Sequence, residues 1–146
     1  MKGERKISII REISAIYRYS QIYIGERTKK YHIGKGQWHF LTELLFNEDG
    51  ITQEELSEKL YIDKANTARA LKKLEGEGYI ERKVDSDDAR KKRIYVTDKS
   101  RAFEEEFHQI FKDLNKLLVA DFTEDEKLLM KKLLPNMFSN IKKANE

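Results

Sequence analysis

Residues 62–97 read IDKANTARALKKLEGEGYIERKVDSDDARKKRIYVT, and the order of signals in this stretch decides the fold. Asp63 stands before KANTARALKKL as a helix cap, because a carboxylate at that point can accept from first-turn amides. The helix stops at Gly76 or Gly78, where the chain is free to turn. YIERKV and KRIYVT follow as two short strands carrying Tyr79, Ile80, Val84, Ile94, Tyr95 and Val96. The charged residues between the strands, DSDDA and then Arg90 to Arg93, are therefore predicted to form a hairpin tip. Taken alone, such a stretch reads as a solvated charge run.

Upstream, TQEELSEKL fits a short helix opened by Thr52 and Glu55 as a capping box. Two short helices joined by a few residues make a helix-turn-helix pattern. Before them, GQWHFLTELLF carries Trp38, Leu41, Leu44 and Leu45 on a further helix, which NEDG closes as a turn. From Ile7 to about Lys30, Ile9, Ile10, Ile13, Ile16, Tyr17 and Ile24 recur at helical spacing over more than one face. Downstream come two more predicted helices. The first carries Phe103, Phe107, Ile110, Phe111, Leu114, Leu117 and Leu118. The second opens at Thr123–Glu126, another capping box, and contains Pro135, which should kink or end it. The whole is mainly α with one small β-hairpin.

The chain has 146 residues, 38% of them charged and 39% hydrophobic, and no cysteine. One domain with helical extensions is the expected organisation. Without cysteine there are no disulfides, thiolate metal sites or thiol redox sensors. No stretch approaches the ~18 apolar residues of a membrane span, and the expected location is the cytoplasm. The net charge is only +3, but it is unevenly placed. Residues 64–93 carry ten Lys/Arg against six acids, whereas residues 35–62 carry two against six. A basic excess gathered in one segment points to a polyanionic partner.

At ~100° per residue, Thr67, Leu71 and Leu74 share one side of the second short helix, and Asn66, Arg69 and Lys73 share another. The apolar side can dock on the preceding helix. Arg and Asn suit guanine and adenine edges in a major groove, while Lys64, Lys72 and Lys73 are placed to meet phosphates. An ordinary amphipathic helix has an equally hydrophilic outer face. The distinguishing feature here is that no acid interrupts residues 64–74.

Leu71 to Arg82 (L-x-x-L-E-x-x-G-Y-I-x-R), then Asp88-Ala89-Arg90, then Ile94 to Thr97 resemble the core of the MarR (multiple antibiotic resistance regulator) family of transcription regulators. The likeness extends over the chain, with one long helix before the reading head and two after it. One departure is Ser100, where the family usually has glycine. The resemblance implies a winged helix-turn-helix over residues 35–99 and dimerisation helices in 1–34 and 100–146. It implies a homodimer acting as a repressor on double-stranded DNA, with a palindromic operator whose half-sites lie ~34 Å apart. Carried over by position, Lys64, Ala65, Asn66, Thr67 and Arg69 would face bases. Arg90 would enter the minor groove, oriented by Asp88, with Lys91 and Lys92 on phosphates. Read from charge, Lys91, Lys92 and Arg93 also supply diffuse attraction.

The family often binds a small molecule, frequently an aromatic acid, between the dimerisation helices and the reading head. Tyr17 and Arg18, flanked by Tyr19 and Tyr23, together with Trp38 and His39, are the candidates for such an effector site. Aromatic residues at these spacings also serve as core or dimer interface. Zinc sensing occurs in one branch, but His32, His39 and His108 are widely spaced, and a site would need Glu104 or Glu105 as well. No metal or cofactor is therefore expected. The other function classes are a winged-helix dimer acting mainly in protein–protein interaction, and an enzyme. The enzyme class lacks a nucleophile triad, a phosphate-cradling glycine loop or a metal cluster.

Overall fold

The computed structural model describes residues 8–146; the expected helix start at Ile7 lies outside them. The chain divides into two compact units, Met1–Phe111 and Lys112–Glu146.

In the first unit, α1 (Ile9–Thr28) begins at Ser8, whose hydroxyl accepts from the Arg11 amide. After a 3-10 turn at Lys29–Tyr31 the chain enters α2 (Trp38–Phe46), α3 (Gln53–Leu60) and α4 (Lys64–Gly76). Thr52 caps α3 by accepting from the Glu55 amide, and Asp63 caps α4 by accepting from the Asn66 amide. Both caps stand where the sequence places them, because each supplies an amide partner that the helix itself cannot; at Thr52 the structure shows the threonine half of the expected capping box.

β1 (Ile80–Val84) pairs antiparallel with β2 (Lys92–Val96), in the register Ile80 to Val96 and Val84 to Lys92. The segment before α3 adds to the far edge of β2: Gly50 N donates to Ile94 O, and Ile94 N to Ile51 O, both at 2.8 Å. Gly50 has φ +80, and a Cβ there would stand 2.8 Å from the Tyr95 ring, so the close approach requires glycine.

The core gathers Phe40, Leu41, Leu44, Leu56, Leu71, Leu74, Tyr79 and Ile94, all nearly or wholly excluded from solvent. Short α5 (Asp98–Ala102) ends at Phe103, and α6 (Glu104–Leu118) begins beyond it. One continuous helix was expected across Phe103. The break turns that ring against Tyr31 and Tyr79, at centroid distances of 4.7 and 5.3 Å. Ser100 answers for the missing glycine: its hydroxyl is fully buried and donates to Tyr79 O at 2.6 Å. The first strand is thereby tied to α5.

In the second unit, α7 (Glu124–Ala144) opens on a reciprocal capping box between Thr123 and Glu126. It runs on through Pro135 rather than ending there. Proline removes one amide donor, and the turns on either side are long enough to continue. Leu128, Leu129, Leu133, Leu134 and Ile141 of α7 lie exposed, as do Ile9, Ile10, Ile13 and Ile16 of α1 in the first unit. Among the described residues no helix is long and apolar enough to cross a membrane.

Candidate nucleic-acid interface

Helix α4 presents two rows of side chains to solvent. Asn66, Arg69 and Lys73 form one, beside a cleft of about 490 Å³ whose far wall is Tyr17, Gln21, Lys35, Gln37 and His39. At the start of the helix, Lys64 joins Arg82, Arg90, Lys91 and Lys92 around a second cleft of about 360 Å³, between α3 and the hairpin. Lys72 faces that side too, near Arg82 and Lys92. Ala65 is exposed. Apart from Glu54, 3.5 Å from Lys64, the second cleft is lined by neutral or cationic residues. Its electrostatics suit an anion.

Thr67 is a correction to the sequence reading. It was expected among the base-facing residues, but it is fully buried. Its hydroxyl donates to Asp63 O at 2.9 Å and accepts from Ser57 Oγ at 2.6 Å. The same helical angle that placed it beside Leu71 and Leu74 turns it onto α3, where it ties the two helices together.

The hairpin tip is built from its acids. Asp85 carries an almost buried carboxylate, which accepts from the amide of Asp87 at 2.7 Å and from Arg93 Nε at 2.8 Å. The Asp87 amide is the first cause, and Arg93 a further one, of its pKa lying below the ordinary carboxylate value. Arg93 Nη1 also donates to Gly50 O at 2.8 Å. Arg93 is thus a second correction: it is turned inward to fasten the hairpin to the loop before α3. A run of four cations gives no hint of which one has an internal acceptor across the fold.

Asp88 meets Arg90 as expected. Its carboxylate accepts from the Arg90 amide at 3.0 Å, from Nε at 3.1 Å and from Nη2 at 3.3 Å. The Arg90 side chain is the leading cause of the lowered Asp88 pKa. Arg90 itself is 91% exposed. A fork held by one face, with the rest of the guanidinium in water, is prepared to project into a groove.

Of the four effector candidates, two line the larger cleft. Tyr17 Oη and His39 Nε2 lie 3.0 Å apart on the wall of the larger cleft. Burial pushes the His39 pKa down, which favours neutral imidazole. Arg18 and Trp38 do not line the cleft. Arg18 bonds Ser14 one turn back on α1, and Trp38 stacks on His39 and donates to Gln21. Lys35 and Gln21 do line it, and sequence reasoning missed both, because nothing local marks a loop lysine as facing a distant helix. Arg82 was also missed as a site residue, although it stands in the quoted motif. It reaches Gln53 at 3.1 Å and Glu75 at 3.4 Å, bracing the floor of the smaller cleft. His32 and His108 lie apart from His39, and no group of three potential metal ligands converges among the described residues.

The comparisons agree with this architecture. The MarR family model matches residues 34–92. The crystal structure of a MarR transcriptional regulator from Methanosarcina mazei is 41% identical, covering 93% of this chain and 97% of that one, with a TM-score of 0.86. The transcriptional regulator AdcR of Streptococcus pneumoniae is 30% identical over 84% of each chain. A complex of S. aureus MepR with DNA is 26% identical, covering 92% of this chain and 99% of that one, with a TM-score of 0.85.

Proposed function

The chain belongs to the MarR family of transcriptional regulators, and from that premise we propose that it is a homodimeric repressor of transcription, binding a palindromic operator and released by a small anionic effector. The observation that carries the DNA reading is Arg90, held by Asp88 at the tip of the hairpin and almost wholly exposed beside Lys91 and Lys92. The solved complex of MepR with DNA supports it. Helix α4 lies in a major groove, with Arg69 toward base edges and Lys64, Lys72 and Lys73 toward phosphates. Arg90 enters the adjacent minor groove, where only the width and the A·T or G·C character can be read.

The dimer reading rests on the apolar side chains left in water on α1 and α7. Exposures of 65% at Ile9, 71% at Ile10 and 63% at Leu128 are those of an unfilled interface. A second copy covers them, with α1 and the C-terminal helices as the dimerisation region.

The effector reading rests on the larger cleft. Its polar wall holds Tyr17 and His39, and its opposite rim is Arg69 and Lys73. An aromatic acid there stacks on the rings and draws its carboxylate to the very cations offered to DNA. Binding and release are then alternatives for the same side chains.

The test is a mobility-shift assay on the DNA flanking the protein's own gene, repeated with salicylate. Binding that saturates on one fragment and is lost with salicylate is expected. Equal, weak binding to every fragment would overturn the repressor reading. Specific binding indifferent to salicylate and related acids would remove the effector part alone.

A further inference from the structure

Three residues at the start of α4 form a relay. Asp63 Oδ1 accepts from the Asn66 amide at 2.8 Å, which is the cap already described. Its second oxygen, Oδ2, accepts from Asn66 Nδ2 at 2.6 Å. Asn66 Oδ1 in turn accepts from Arg69 Nη2. Both halves of the Asn66 amide are therefore engaged inside the protein. Each half of the amide keeps one further hydrogen bond, a second N–H and a second lone pair, but the relay fixes the plane in which they point. Arg69, by contrast, spends one of its five N–H donors in the relay and is exposed to solvent.

We infer that Arg69 is the specificity-determining residue of the reading helix, selecting guanine, and that Asn66 and Asp63 are positioning residues that fix its guanidinium. This rests on the DNA-binding reading above and deepens it. Sequence alone separates the three: Asp63 reads as a cap and Asn66 as a base reader. Their spacing of three residues nevertheless puts all of them on one edge of the helix. Arg69 is a long side chain that samples many rotamers when untethered, and ordering it in advance lowers what must be ordered on binding.

The test is selection of the full-length protein against a duplex DNA pool with a randomised 20-base-pair core, followed by sequencing of the bound fraction. Four proteins are compared: wild type, Arg69→Ala, Asn66→Ala and Asp63→Ser. Serine keeps the helix cap through one oxygen but has none to spare for Asn66 Nδ2. Its thermal unfolding shows whether the fold is intact.

Wild type should enrich a site with guanine at one position in each half. Arg69→Ala should lose that preference, roughly 5- to 150-fold in affinity for the selected site. Asn66→Ala and Asp63→Ser should flatten the preference at that same position, each weakening the selected site by roughly fivefold. If Asn66→Ala instead abolishes an adenine preference at a different position and leaves guanine untouched, Asn66 reads a base and the relay is overturned. If Asp63→Ser folds and selects as wild type does, Asp63 is a cap only, and its positioning role is overturned. If wild type enriches nothing, the DNA reading itself falls, and the relay with it.

Discussion

Replacing Thr67 by valine separates a scaffold residue from a base contact. Valine has nearly the same volume and fits a helix, so the substitution removes one buried hydroxyl and little else. The carbonyl of Asp63 keeps a partner, because the Thr67 amide donates to it at 3.0 Å. Ser57 does not: its hydroxyl, in a residue only 5% exposed, loses the acceptor it holds at 2.6 Å. An orphaned buried donor costs about 1–3 kcal/mol. The serine can turn back toward the carbonyl one turn earlier in α3, so the lower half of that range, about 1.5 kcal/mol, is expected. For a chain of this size that is a fall of roughly 5 °C in the unfolding midpoint. Adding Ser57→Ala removes the orphan and should recover about 1 kcal/mol, visible as coupling in a double-mutant cycle. The assays are thermal unfolding at one fixed protein concentration and DNA binding at a temperature where both proteins are folded. Binding should be unchanged. A variant of unaltered stability whose binding drops tenfold would show that Thr67 reaches DNA after all.

Other outcomes follow from the same geometry. Asp88→Ala removes a negative charge from a basic surface and should nevertheless weaken DNA binding by about fivefold, because Arg90 loses its fork partner; tighter binding by titration would return the hairpin tip to a plain charge run. The carboxyl of Asp85 protonates below its ordinary value when folded, so as pH falls the unfolded chain takes the proton first. Its contribution is whole above about pH 4 and disappears at lower pH. Asp85→Asn should therefore be less stable than wild type at pH 7 and converge with it in acid, read by urea unfolding across that range; a constant difference at every pH would refute the assignment. Gly50→Ala forces a positive φ on alanine and drives its Cβ into Tyr95. It should cost at least about 1–2 kcal/mol by denaturant melting, and a wild-type midpoint would show that the loop relaxes freely.

What was legible in the sequence was local. Thr52, Asp63 and Thr123 announce their helices because a cap acts within three residues of itself. The alternation from Tyr79 to Val96 announces the hairpin for the same reason. The pairing of Asp88 with Arg90 came from the family resemblance rather than from the residues alone, and the structure shows it. What escaped depends on distant chain segments. Arg93 finds Gly50 across the fold, Lys35 shares a cleft with the reading helix, and Ser100 finds Tyr79. Thr67 shows a different failure. Its helical angle already placed it on the buried side, and matching it by position to a reading helix overrode that evidence.

The inward turn of Arg93 also bears on how this protein should respond to ions in solution. DNA carries a condensed layer of cations, and each phosphate met by a protein cation releases some of them. The logarithm of the binding constant therefore falls with the logarithm of salt by about 0.9 for each such contact. With Arg90 in the minor groove, Lys91, Lys92 and Arg93 invite a count of three phosphates for the hairpin. With Arg93 engaged by Asp85 and Gly50, the count is two, and the salt slope should be shallower by roughly 0.9 for every copy bound. A salt titration thus reports from outside the molecule on a bond made within it.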